Sequence, residues 1–153
     1  MLRLPSLQRE YSYISAADDA IATPPKDADE ATRAAFAHRL DVARRTGDYT
    51  DVLLEGRVPT KFLLRHIPGD TLRKLYDDAN RLGHLEVASL AFRLALVDVS
   101  NLDGLRVRHE DHERYGRIAA ADVVSVLDSV SPEIVNEVGL YALKRSQGID
   151  PKP

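Results

Sequence analysis

Thr71-Leu-Arg-Lys-Leu-Tyr-Asp-Asp-Ala-Asn-Arg-Leu-Gly-His-Leu-Glu-Val-Ala-Ser-Leu-Ala-Phe-Arg-Leu-Ala-Leu-Val97 is the stretch whose reading decides the fold. Its first half is amphipathic: Leu72, Leu75, Tyr76, Ala79 and Leu82 recur at helical spacing, which predicts a helix over 71–82 ended by Gly83. In its second half, apolar residues fall on nearly every side from Leu85 to Val97, which predicts a central helix buried all round.

Outward from this pair, toward the N-terminus, Val58-Pro-Thr-Lys-Phe-Leu-Leu-Arg-His-Ile67 reads as a strand. Thr60, Phe62, Leu64 and His66 fall on one face, and Pro59 suits a strand start or an edge. Val52–Leu54 is expected to pair with it as a hairpin around Glu55–Arg57. Before that, a helix is predicted from Asp27, read as N-cap in a capping box with Glu30, to Gly47. Phe36, Leu40 and Ala43 form its thin apolar stripe, which calls for a close-packing partner. Residues 1–26, with Tyr11, Tyr13 and Pro24-Pro25, are expected to form an extended N-terminal arm that either stays flexible or orders along a neighbouring subunit.

Toward the C-terminus, Asn101–Gly104 reads as a turn and Leu105–Arg108 as a short strand, with His109–Arg114 a charged surface loop. Two more helices are predicted, at 119–130 and from Ser131 as N-cap with Pro132 in the first turn to Gly148. The expectation is an α+β domain over 27–147, predominantly helical, with about five helices, a small antiparallel sheet and a polar tail over 148–153.

Twenty-one basic and 24 acidic residues are spread along all 153 positions, with no basic stripe, which points away from nucleic acid. The absence of cysteine removes disulfides, thiolate metal ligands and thiol nucleophiles. The longest apolar region, Val87–Val99, is interrupted by Ser89, Arg93 and Asp98 and is too short for a bilayer, so no membrane partner is expected. Met1–Ser15 lacks the apolar core of a signal peptide.

The one cluster with the residue types of a metal site is His109-Glu-Asp-His112, but its histidines are three apart, where a helical pair needs four. On a strand they would point to opposite faces. No nucleophile elbow, phosphate-cradling glycine loop or paired-cysteine motif is present, and no cofactor is expected. Interface candidates are the aromatic residues Tyr11, Tyr13, Phe36, Phe62 and Tyr115 together with Arg44 and Arg45. The two arginines also suit the negative end of a helix dipole, with an acidic partner as the alternative role.

Three pieces in order resemble small proteins of tailed-bacteriophage morphogenesis modules, known as tail-assembly-chaperone-like or minor virion proteins. These are Gly56-Arg-Val-Pro-Thr-Lys-Phe-Leu-Leu-Arg65, Ala91-Phe-Arg-Leu-Ala-Leu-Val-Asp-Val-Ser-Asn-Leu-Asp-Gly104 and Ser131-Pro-Glu-Ile-Val-Asn-Glu-Val-Gly-Leu-Tyr-Ala-Leu-Lys-Arg-Ser146. Ala95 stands where the pattern has glycine, and Asp98 where it has an aromatic residue. The resemblance implies a non-enzymatic structural or assembly role in the virion, or in the host cytoplasm during assembly. The partners it implies are capsid, connector or tail subunits, or a second copy of the chain. Two other readings stay open: a cytosolic adaptor or regulatory module, and a small metal-dependent enzyme centred on His109 and His112.

Overall fold

The computed structural model describes residues 10–148. In chain order it contains β1 (Tyr11–Tyr13), α1 (Glu30–Thr46), a 3-10 turn (Thr50–Val52), β2 (Lys61–Leu64), α2 (Gly69–Leu82), α3 (His84–Ala95), β3 (Leu96–Ser100), β4 (His109–His112), β5 (Gly116–Ala119), α4 (Asp122–Val130) and α5 (Pro132–Ser146). Five helices with antiparallel sheets of three and two strands make an α+β fold, as the residue pattern predicts.

α3 is the centre of the molecule. Ala88, Leu90, Ala91, Phe92, Leu94 and Ala95 are all buried, but the helix is not buried all round as expected: its first turn is exposed, with Leu85 76% exposed, and Arg93 reaches out to Glu110. α5 lies against it, contributing Val135, Val138, Tyr141 and Ala142, with Gly139 at the closest approach. β2 covers the pair from the other side, Phe62 meeting Phe92 edge to face at 6.0 Å between ring centres. Phe62 and Leu64 are buried on one face of β2, in the alternation read from the sequence.

Several expectations are corrected. The central helix stops at Ala95, and Leu96 and Val97 open β3, which pairs antiparallel with β2 (Phe62 opposite Val99). Helix and strand abut here with no glycine or proline between them, so the apolar run reads as one element. Val97 and Val99 alternate with Asp98 and Ser100, a strand period hidden at the end of a helical one. The second partner of β2 is β1, with Tyr11 opposite Leu64 and Tyr13 opposite Phe62, rather than residues 52–54. Val52 ends a 3-10 turn instead, and Leu53 makes a lone bridge to Ile21.

Residues 10–21 do not form the expected extended arm: Tyr11, Tyr13, Ile14, Ala20 and Ile21 are buried. Residues 1–9 of that expected arm, and the tail from 149, lie outside the described residues. Asp29, not Asp27, caps α1, its carboxylate accepting the N–H of Thr32 at 2.7 Å. Gly47 closes the helix with φ of 81°, its N–H donating to Ala43 O. The stripe Phe36, Leu40 and Ala43 finds its partner inside the chain, in a second small core with Ile14, Ile21, Tyr49 and Val52.

Leu105–Arg108 is not a strand, and the charged run from His109 is not a loop: His109–His112 is β4, paired with Gly116–Ala119. Ala119 thus belongs to β5, and α4 begins at Asp122. Ser131 precedes α5 as expected, with Pro132 in its first turn, but the serine side chain makes no capping bond.

Candidate interaction site

Four of the seven expected interface residues meet at one place. β1 runs past the C-terminal ends of α1 and α5, and Tyr11, Arg44 and Arg45 line a cleft of about 330 Å³ there, with Glu10, Ser12, Leu63 and Arg145. Tyr13 lies directly beneath, with the Arg44 guanidinium 4.6 Å above its ring. Arg145 stacks in the same way over Tyr11 at 3.9 Å and donates to Arg44 O and the Tyr141 hydroxyl, both at 3.3 Å.

Glu137 of α5 is the anchor of this cluster. Its carboxylate accepts from the Tyr13 hydroxyl at 2.6 Å, the Ser15 hydroxyl at 2.8 Å and the Ala16 N–H at 3.0 Å, and Arg44 stands 3.5 Å away. Burial pushes the Tyr13 phenol far above the ordinary tyrosine value, and the adjacent Glu137 carboxylate adds to the rise against the opposing pull of Arg44. Tyr49, which donates to Ser12 O at 3.1 Å, is pushed up to about 12, also by burial.

Three polar atoms in this region are buried and have no hydrogen-bond partner among the described residues: the Tyr11 hydroxyl, Arg44 Nε and His66 Nδ1. Two of them belong to residues that line the cleft. His66 packs its ring 5.7 Å from that of Tyr11, and burial together with Arg145 holds its pKa below the ordinary value.

No protein-family model, curated protein or solved structure matches this chain. The remaining expected residues are located by their contacts alone. Phe36 and Phe62 are buried side chains of the two cores and do not reach this cleft. Tyr115 is also buried; its hydroxyl donates to Asp78, which Arg114 grips with both Nε and Nη2, the latter at 2.9 Å. The Arg114 guanidinium, followed by the Tyr115 hydroxyl, holds the Asp78 carboxyl below its usual range. Tyr11 and Tyr13 are likewise core side chains; Tyr11 lines the cleft, and Tyr13 packs under the Arg44 guanidinium.

His109 and His112 do not converge. His109 Nε2 donates to Leu96 O at 2.9 Å, whereas His112 Nδ1 accepts the N–H of Arg114 at 3.1 Å and stacks on Tyr115. Among the described residues, no group of three or more histidine or acidic side chains is placed to hold a metal ion.

A second cleft, of about 450 Å³, opens between α4, α5 and the loops at 17–19 and 58–60. Val58 and Val130 stand 70% and 64% exposed on its walls, over a floor of Phe62, Leu127 and Ile134. Asp18 is committed within it, accepting from Ala20 N and Thr60 N.

Glu137 and Arg145 went unread in the sequence because α5 presents itself there as an apolar face with a basic last turn. The available signal was Arg145 lying four residues after Tyr141, on the same side of the helix. Among the described residues, no helix is long and apolar enough to cross a membrane.

Proposed function

We propose that the chain is a bacteriophage structural or assembly protein, and that the arginine–tyrosine cleft receives a carboxylate-bearing segment of a partner subunit. The resemblance of residues 56–65, 91–104 and 131–146 to morphogenesis proteins supports the setting. The observation that carries the binding role is that two residues lining the cleft hold buried donors without a partner among the described residues, the Tyr11 hydroxyl and Arg44 Nε. A buried donor without an acceptor costs about 1–3 kcal/mol, which an incoming carboxylate would recover.

The charge balance favours a monoanion. Arg44 faces Glu137 and Arg45 faces Asp41 at 3.1 Å, whereas Arg145 has no ion pair among the described residues and donates to a carbonyl and a hydroxyl. Arg145 is thus the cleft arginine left to meet an added carboxylate, and exposed Glu10 at the rim opposes a more highly charged ligand.

The test compares Tyr11→Phe with the unchanged chain, each tagged and expressed during particle assembly, with particles and intermediates separated by sedimentation. The unchanged chain is expected to migrate with an identified capsid, connector or tail subunit. The Tyr11→Phe chain should keep its thermal stability, since the lost hydroxyl has no partner in the free protein, and bind that subunit about tenfold more weakly. Migration of the unchanged chain alone in every fraction would overturn the assembly role. Equal binding by Tyr11→Phe would overturn the cleft as its site.

A further inference from the structure

A third cleft, of about 410 Å³, lies between the start of α2 and the β4–β5 ribbon, and its charge balance is different. Arg65, Lys74 and Arg117 line it, with Asp70 as the opposing charge. Among the described residues none of these three cations is in an ion pair. Arg65 donates to Leu94 O and Arg117 O, both at 3.1 Å, and Lys74 donates to Arg114 O at 3.2 Å. These carbonyls hold Arg65 and Lys74 in place without neutralising them.

The N-terminus of α2 opens into the same space. Pro68 occupies the cap position and supplies no side-chain acceptor, and the first intrahelical bond is Leu72 N–H to Pro68 O. The N–H groups of Gly69, Asp70 and Thr71 come before that bond, at the positive end of the helix. Independently of the helix end, Thr71 is 9% exposed, lines the cleft, and its hydroxyl has no hydrogen-bond partner among the described residues. That hydroxyl reaches the cleft and is free to donate to an acceptor brought from outside.

We infer that this cleft binds a phosphoryl group, held by the α2 N-terminus, the Thr71 hydroxyl, Lys74 and Arg117. Three cations against one carboxylate leave about two positive charges, the match for a phosphate dianion. The arginine–tyrosine cleft, with its arginines largely paired, carries no such excess. Arg65, fixed by two carbonyls, sets the wall and its field; Lys74 and Arg117 are exposed and reach the ligand as it enters.

Titration of the isotope-labelled full chain with inorganic phosphate, followed by amide NMR at constant ionic strength, tests this. Saturable shifts are expected at the Gly69, Asp70 and Thr71 amides, with none when chloride replaces phosphate. The double variant Lys74→Ala, Arg117→Ala should bind about tenfold more weakly, a loss of about 1.4 kcal/mol, while Asp70→Asn binds more tightly. Should the double variant fail to fold, Lys74→Gln and Arg117→Gln are measured singly. A nucleoside monophosphate separates the sources of the group: tighter binding than inorganic phosphate identifies an organic phosphate ester, and equal binding identifies free phosphate. Shifts that do not saturate, that chloride reproduces, or that survive unchanged in the variants would overturn the site.

Discussion

Gly139 lacks a side chain because Ala88 leaves no room for one: a Cβ built there would clash with the carbonyl of Ala88 and press on Cβ of Phe92. The obstacle is backbone of the central helix, which cannot swing aside as a flexible side chain would. Gly139→Ala is therefore expected to destabilise the chain by about 2–3 kcal/mol despite alanine's better helix propensity, which contributes about 1 kcal/mol the other way. Urea unfolding of the two proteins checks it, and an equal or higher midpoint for the variant would show that α3 and α5 are not so close. His66 makes a prediction of opposite character, in pH rather than packing. Burial first, and Arg145 second, lower its pKa below 6.5, so protonation favours the unfolded chain. Stability should be fully present above pH 6.5 and fall as the pH drops through that value toward the depressed one. His66→Phe should flatten that part of the curve. Asp78, whose pKa is also lowered, acts in a separate window: its contribution persists at neutral pH and is lost only as the pH falls below 3.8. Unfolding midpoints measured from neutral pH to about pH 5 isolate the histidine, and the same slope in His66→Phe would assign it elsewhere.

At the level of elements, β1 shows most clearly how a segment can be misjudged. It is three residues long, and the stretch after it is broken by Asp18-Asp19 and Pro24-Pro25, so its sequence has the composition of an arm. Yet Tyr11, Tyr13, Ile14 and Ile21 are four large buried side chains, each contributing about 2 kcal/mol, or roughly 8 kcal/mol together. Against a whole-domain stability of about 5–15 kcal/mol, that sum decides the matter. Removing residues 1–21 is expected to abolish cooperative unfolding and disperse the NMR spectrum poorly, whereas an arm would have been dispensable. A deletion chain with an unchanged thermal transition would restore the arm. β3 shows the complementary error, a strand concealed because it follows a buried helix without punctuation. α2, by contrast, matches its sequence reading closely, since a one-sided apolar stripe ended by glycine admits one interpretation.

For the molecule as a whole, two cores of unequal size are bridged by polar side chains, Glu137 making the most bonds among them. The larger surrounds α3 and α5; the smaller lies under α1. Glu137 reaches from α5 to Tyr13, Ser15, Ala16 and Arg44, and Arg145 reaches from the same helix to the carbonyl of Arg44. That crossing creates the arginine–tyrosine cleft, because it brings the end of α1 beside the end of α5. The sequence by itself determined the helices, the α+β class, the buried character of α3 and the alternation of β2, since each follows from local periodicity and from glycine or proline at a boundary. It also singled out Tyr11, Tyr13, Arg44 and Arg45 as interface candidates, the tyrosines equally as covers of the core edge and the arginines first as charges at a helix end. Only the tertiary structure decided which strands pair, that the N-terminal segment completes the core, and that Glu137 and Arg145 join those four residues. The physical reason is separation: Tyr13 and Glu137 stand 124 positions apart, and no local pattern encodes a contact across that distance.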